Sequence, residues 1–311
     1  MAKPSARTLV IGEALIDVVR RADGSVDEHP GGSPANVALG LSRLGHPVVF
    51  ATQIGDDARG RLITERLGSA GVQLWNGSVT ASATSTAIAT LDQSGAAEYE
   101  FDITWERFDQ LPTDEVAHVH SGSIATTFQP GAGSVADYFA AERGHVTVSY
   151  DPNVRPSLMG EPRDVVATVE RLVALSDVVK ASDEDIEWLY SGTPLREVLR
   201  RWAELGAALL VVTQGGSGAV AQLGLDGVQA NFSAPRVAVV DTVGAGDSFM
   251  AGLTSGLLDN GYLGSPQARS RLREATPPDI RSSVERALAC AAITVSRAGA
   301  DPPRRDELPK P

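Results

Sequence analysis

The chain has 311 residues, 42% hydrophobic and 21% charged, with a formal net charge of −12. This is the composition of a globular protein with a substantial core, and its negative balance argues against nucleic acid or an anionic membrane as a partner. A single cysteine excludes an intramolecular disulfide, and no apolar run has the length of a signal peptide or membrane span, so the cytoplasm is the expected compartment.

Thr8–Ile11 is a short apolar run that reads as a first buried strand. Ala14–Arg21 continues as extended chain and carries Asp17. In open α/β sheets ligands lie beyond the carboxyl ends of strands, so Asp17 is either a surface acid or a ligand contact. Asp23-Gly24 is a hairpin signal. In Pro30-Gly31-Gly32-Ser33-Pro34-Ala35-Asn36, the glycines, a Ser33 N-cap and Pro34 at the first helical position mark a loop-to-helix start. Asn36 falls in its first turn. Val48–Gln53 reads as a strand and Arg61–Ala70 as a helix. Thr84–Thr90 and Ala97–Ile103 flank a turn at Asp92–Gly95 and form a β-hairpin that interrupts the α/β alternation.

His118-Val119-His120 places two imidazoles on one strand face. No other His, Cys or acid lies at metal-ligand spacing, which rejects a zinc site. Val146–Tyr150 is a strand ending in Asp151-Pro152-Asn153-Val154-Arg155-Pro156. Two prolines stop regular structure there. Either Asn153 and Arg155 face a ligand, or Asp151 and Arg155 merely tie the loop. Asp177–Lys180 is another strand, and Lys180 is the only lysine of the chain's interior, the others being Lys3 and Lys310. Ser182 then reads as an N-cap before Asp183, Glu184 and Asp185. Leu209–Thr213 and Ala219–Leu223 are strands joined by the bend Gln214-Gly215-Gly216-Ser217-Gly218. Leu263–Pro278 reads as a loose insertion. Ser282–Arg297 is a helix containing Cys290 as a small core residue, with Gly299 as its C-cap. There is no Gly-Lys pair for a P-loop, no Gly-x-Gly-x-x-Gly at an early βαβ unit, and no internal repeat.

The stretch Val239-Val240-Asp241-Thr242-Val243-Gly244-Ala245-Gly246-Asp247-Ser248-Phe249 joins an apparent strand end to a helix through a glycine turn. Phe249, Met250, Leu253, Leu257 and Leu258 share one face of that helix. Its first turn offers free N–H groups to an anion. Asp247 sits at the same place. It is either an ordinary acid complementing the helix dipole or a general base beside an anion site, as phosphoryl transfer to a hydroxyl requires.

Asp241–Phe249 resembles the C-terminal signature of the ribokinase-like sugar kinases, the PfkB carbohydrate kinase family. Gly31-Gly32-Ser33-Pro34-Ala35-Asn36 resembles the N-terminal one, and Asp151-Pro152-Asn153-Val154-Arg155 the loop of bacterial fructokinases. The resemblance spans nearly the whole chain. It implies one ribokinase-like α/β domain over 1–311, a three-layer fold with a mostly parallel central sheet flanked by helices. A small β lid, about 13–30 and 84–103, would cover the sugar and join two subunits into a homodimer. It implies an ATP-dependent sugar kinase acting on a primary hydroxyl, fructose first, with 2-keto-3-deoxygluconate or ribose as alternatives; a sugar-sensing regulator without catalysis is the reading from another class. Asp247 would be the base and Gly244, Ala245 and Gly246 the anion hole. Asp17, Gly32, Asn36, Asn153 and Arg155 would meet the sugar, and Thr213, Gly215 and Gly218 would lie near ATP. Lys180 is the candidate phosphate contact. Ser182 and Asp185 stand where the family has Asn-x-x-Glu, so Asp185 would reach magnesium through water. The carbonyls of Asp241 and Val243, with the segment Arg297–Ala300, would hold a monovalent cation such as potassium.

Overall fold

The computed structural model describes residues 6–91, 97–225 and 227–309; the turn expected at Asp92–Gly95 lies outside the described residues. The chain opens with β1 (Arg7–Ile11), β2 (Leu15–Arg20), β3 (Val26–Gly31) and α1 (Ser33–Arg43). It continues through β4 (Val48–Ala51), the two-residue β5 (Ile54–Gly55), α2 (Ala58–Ser69), β6 (Gln73–Leu74) and β7 (Val79–Ala81). β8 (Thr86–Leu91) and β9 (Ala97–Asp102) form the expected antiparallel hairpin. Then come β10 (Val116–Gly122), α3 (Ala132–Glu142), β11 (Thr147–Asp151), the single turn α4 (Pro156–Met159) and α5 (Pro162–Leu175). The second half has β12 (Val178–Ser182), α6 (Asp183–Leu189), α7 (Leu195–Leu205), β13 (Leu209–Thr213), β14 (Ala219–Leu223) and β15 (Val228–Phe232). It closes with α8 (Ala245–Asp259), α9 (Pro266–Glu274) and α10 (Pro277–Val295).

Among the described residues the main sheet has the order β15-β14-β13-β12-β11-β10-β1-β4-β6. It is parallel from β6 to β13, and β14 and β15 add an antiparallel edge. Both faces are covered, so the strands read as near-continuous apolar runs. Leu9 and Ile11 pack with α3, α5, α6 and α7, whereas Val10 faces α1, α2 and α8. Further along, Val179, Leu210 and Val212 share the first face, and Val178, Leu209 and Val211 meet α8, α9 and α10 on the other. The layers are helix, sheet, helix. Of the α8 residues read as one face, Phe249, Met250, Leu253 and Leu257 are buried and Leu258 is half-buried, but the helix is buried on every side from Asp247 to Leu257, with Met250 toward α1 and Phe249, Leu253 and Leu257 toward α10. β3-β2-β8-β9 form a separate four-stranded sheet.

Leu263–Pro278 is not a loose insertion. Most of it is α9, capped by Ser265, whose side chain accepts the Ala268 N–H. Its Arg269 forms a bidentate pair with Asp177 at the amino end of β12, and Asp177 is almost fully buried. The last helix starts five residues earlier than its apolar pattern suggested, at Pro277, under a Thr276–Asp279 capping box. It ends at Ser296 rather than Gly299.

Candidate active site

The run Val239–Val243 is not a strand. Val239, Val240 and Val243 are exposed, and Val240 and Asp241 both donate their N–H to the Val295 carbonyl at the end of α10. β-branched propensity is overridden by these bonds to the end of α10. The loop is fixed instead by Asp241. Its carboxylate accepts from Val243 N at 3.0 Å and Gly299 N at 2.8 Å, and these N–H groups hold it below the usual carboxylate range. Gly244 then caps α8 with φ +75°, and a Cβ there would lie 2.6 Å from the Ala300 Cβ. The Ala245 N–H is occupied by the Thr242 carbonyl at 3.2 Å. Among the described residues no protein acceptor meets the N–H of Gly246 or Asp247. Those two amides are the free pair at the helix start.

Asp247 is 7% exposed and points at the amino end of α1. Its Oδ1 accepts from Ser33 Oγ at 2.7 Å and its Oδ2 from Asn36 Nδ2 at 2.9 Å. Asn153 Nδ2 stands 3.5 Å from Oδ1. Two helix N-termini therefore converge on one carboxylate. The sequence reading placed Ser33 as N-cap. In the structure Gly32 is the cap, with φ +100°, and Ser33 is the first helical residue. Gly32 sits so close to β1 that a Cβ would meet the Glu13 carbonyl at 2.5 Å. A serine cannot take that place, and the Ser33 hydroxyl is left to bond a charged oxygen, roughly twice as strong as a neutral cap bond.

The remaining groups stand at the carboxyl ends of the parallel strands. From β1 the chain steps outward to β4 and β6 on one side, then returns to β10 and β11 on the other. The crevice at such a switch point is the usual ligand site of an open α/β sheet. Glu13, just past β1, is 5% exposed and accepts the Ala125 N–H at 3.2 Å. Burial pushes its carboxyl up to about 7. Asp17 on β2 is raised by burial to about 6, against the pull of Arg155 and His29. Asn153 adopts φ +38°, a conformation asparagine tolerates better than most residues. Arg155 Nη1 donates to Asn153 Oδ1 at 2.8 Å. Lys180 is 3% exposed, with Nζ 2.9 Å from Asp151 Oδ2. Burial works against its charge, yet Asp151, Asp185 and Asp247 outweigh burial and hold the ammonium above its ordinary value. A Cβ on Gly246 would lie 3.1 Å from that Nζ, so Lys180 reaches the glycine turn.

The pfkB family carbohydrate kinase model matches residues 5–307. The chain belongs to this family. It is 34% identical over 261 residues to a fructokinase of Klebsiella pneumoniae, covering 81% of this chain and 84% of that one. Identity to an Escherichia coli fructokinase is 32% over 314 residues, 95% of each chain. Among solved structures, a fructokinase double mutant from Vibrio cholerae O395 in fructose, ADP and potassium ion bound form superposes with a TM-score of 0.79 at 27% identity, covering 96% of this chain and 95% of that one. These likenesses agree with the ribokinase-like fold and the carbohydrate kinase activity expected from the two signatures.

The other expected residues of this kinase fall around the same crevice. Ser182 and Asp185 form a capping box: Ser182 Oγ accepts Asp185 N at 3.0 Å, and Asp185 Oδ2 accepts Ser182 N at 2.7 Å. Asp185 Oδ1 accepts Val154 N at 2.7 Å. Each oxygen thus already serves a backbone N–H. Thr213 pairs in register with Ser182 at the next strand end. Gly215 has φ +50° with open space around its Cβ position, whereas a Cβ on Gly218 would strike the Phe232 carbonyl at 1.9 Å. Gly218 is therefore demanded by the hairpin itself. The carbonyls of Asp241 and Val243 accept no protein hydrogen bond among the described residues. His118 and His120 do share a face, where both meet Ser149 Oγ, at 2.9 and 3.0 Å. They are buried and neutral, held down to about 3 by burial. Sequence reasoning did not find Ser33 as a partner of Asp247, nor Asp151 as the counter-ion of Lys180. The signal for the second was present: a lone lysine in an apolar strand needs a buried acid.

Proposed function

We propose that this kinase transfers the γ-phosphoryl group of ATP to a primary hydroxyl of fructose. The observation that carries the reading is the Asp247 carboxylate, fixed by Ser33 and Asn36 beside two amides that lack acceptors. Asp247 takes the proton of the attacking hydroxyl. The Gly246 and Asp247 amides face the charge that develops on the phosphoryl oxygens. Gly244 and Ala245 shape that turn, and Ala245 contributes its backbone conformation rather than a free N–H. Asp17, Gly32, Asn36, Asn153 and Arg155 hold the sugar, and Lys180 meets the phosphate. Thr213, Gly215 and Gly218 lie on the nucleotide side. Fructokinase relatives at 32–34% identity support the choice of sugar. The acids of β9, Glu100 and Asp102, share the face of Val18 and Ile16 rather than that of Asp17, so the preference for fructose over a keto acid rests on the relatives.

Among the described residues no cluster of three His, Cys, Asp or Glu could hold a metal. The donor set fits magnesium carried in on the phosphates and touched by Asp185 through water, the usual manner for this ion. When bound, magnesium neutralises phosphate charge. The free carbonyls of Asp241 and Val243 are donors of the kind potassium takes. The sheet β3-β2-β8-β9 serves as the lid, within a single domain, and excludes water from the transfer. Its exposed edge strand β9, where Tyr99 is 63% exposed and stacks on Phe101, is the surface through which two copies pair. Among the described residues no helix is long and apolar enough to cross a membrane, and the compartment we assign is the cytoplasm.

A coupled ADP-release assay over fructose, 2-keto-3-deoxygluconate and ribose tests the reading. Fructose should give the highest kcat/KM. Fructose binding without turnover would make the protein a sensor, and a preference for the keto acid would displace fructose.

A further inference from the structure

We infer that Asp151 is a positioning residue: one carboxylate oxygen holds the Lys180 ammonium against Gly246 while the other fixes the backbone of Asn153, so that a buried cation completes the anion hole. The inference rests on the proposed phosphoryl transfer and deepens it. Asp151 is 1% exposed and its two oxygens face different partners. Oδ2 meets Lys180 Nζ at 2.9 Å, and Oδ1 accepts Asn153 N at 3.1 Å. The second bond secures the positive φ of Asn153, whose amide nitrogen is turned toward Asp247. A single side chain thus sets both the cation and the residue flanking the base.

Stability does not explain the pair. A buried ion pair can often be exchanged for apolar residues of similar volume without loss. Lys180 is flanked in its strand by Val178, Val179 and Ala181, which are apolar and buried. The ammonium has instead a direction. It rises along the α8 side of the sheet to the helix start, where a Cβ on Gly246 would crowd it at 3.1 Å. A side chain at position 246 would thus press on the cation and displace it by a few tenths of an ångström. Three acids, Asp151, Asp185 and Asp247, act on that one ammonium. Without it, a phosphoryl group arriving at the two amides would meet uncompensated negative charge.

The test uses Lys180→Met, Asp151→Asn and the double variant, each checked for folding by thermal melting. Asparagine keeps an acceptor for Asn153 N but removes the charge that holds Lys180. Lys180→Met should lower kcat by about 100-fold or more, the scale for removing one donor from a charge-stabilising hole, and leave the fructose KM within about threefold. Asp151→Asn should lower kcat by about 10-fold or more, and the double variant should fall no further than Lys180→Met, because Asp151 acts through the lysine. Losses that multiply in the double variant, or an Asp151→Asn protein with intact kcat, would overturn the inference. If Asp151→Asn does not fold, the double variant, which has no unpaired buried charge, is compared with Lys180→Met alone, and a further kcat loss overturns it. A wild type that phosphorylates none of the sugars would sink the transfer reading separately. The affinity for a non-hydrolysable ATP analogue then decides: a drop of about tenfold or more, equal in Lys180→Met and the double variant, supports the buried cation, and unchanged affinity refutes it.

Discussion

Replacing Asp247 by asparagine separates chemistry from architecture at this site. The carboxylate accepts the Ser33 hydroxyl at 2.7 Å and the Asn36 amide at 2.9 Å. Asparagine can keep its oxygen toward Asn36 and turn its NH2 to Ser33. That hydroxyl is free to rotate and accept, because it caps no helix. Both contacts survive as neutral hydrogen bonds, so the variant loses the difference between a charged and a neutral bond, about 1 kcal/mol for each. The melting temperature should fall by only a few degrees, at about 2–4 °C per kcal/mol for a chain of this order of size. The proton acceptor is gone, however. A positioned general base contributes about 10²–10⁴-fold, or roughly 3–5 kcal/mol of barrier. Steady-state ADP release should show kcat lowered by that factor, while calorimetry shows fructose affinity within about threefold of wild type. A kcat within about tenfold of wild type, or a fructose affinity that falls in step with kcat, would refute the assignment of Asp247 as base.

Arg269→Met strips Asp177, 1% exposed, of its partner and should cost about 3–5 kcal/mol in urea unfolding while kcat stays unchanged, because the pair lies at the opposite ends of the strands from the crevice. Gly252→Ala gains about 1 kcal/mol of helix propensity, but its Cβ would sit 2.8 Å from the Ala287 Cα and 2.9 Å from the Cys290 Sγ. Overpacking of about 1–3 kcal/mol should win, and a variant that melts above wild type would show that α8 and α10 can part. Glu13→Gln tests the buried acid. A folded-state value raised from 4.5 to about 7 means stability that is present below pH 4.5 and is lost as pH rises through 7. Glutamine, which still accepts Ala125 N, should match wild type near the low end and exceed it by about 3 kcal/mol above the high end. A melting-temperature difference that stays flat across that window would dispose of the buried carboxylate.

Elements whose own side chains define them were legible from the sequence. Leu209–Thr213 and Ala219–Leu223 match β13 and β14 residue for residue, because both are mainly apolar runs and the glycine-rich bend Gln214–Gly218 separates them. The hairpin of β8 and β9 was equally plain. The misreadings came where a distant partner decides. Val239–Val243 has strand composition, but the carbonyl of Val295 captures the run. α9 buries only Ala268 and Leu272, too few for a periodic signal, and is anchored by an arginine whose acid lies 92 residues earlier in the chain. Ser33 was mistaken for a cap because nothing local reveals that the Glu13 carbonyl crowds the preceding position.

The same division runs through the site. Asp247, Asn36 and the glycine turn were found because each marks a helix start, and helix starts can be read locally. What the chain does not display is that the two starts face one another across 214 residues, or that Lys180 reaches the second of them. That meeting resolves a difficulty set by composition. A chain of net charge −12 repels ATP at a distance. The crevice counters this with the N-termini of α1 and α8, with Lys180 and with Arg155. Burial also raises Glu13 to about 7, so that this acid sheds about half its charge near neutrality, whereas Asp17, raised to about 6, keeps most of its own. Asp151 remains paired with the ammonium, and Asp247 is the acid to which we assign the hydroxyl proton. The local field is thus arranged acid by acid, which is how an acidic protein can hold a polyanion without a basic surface.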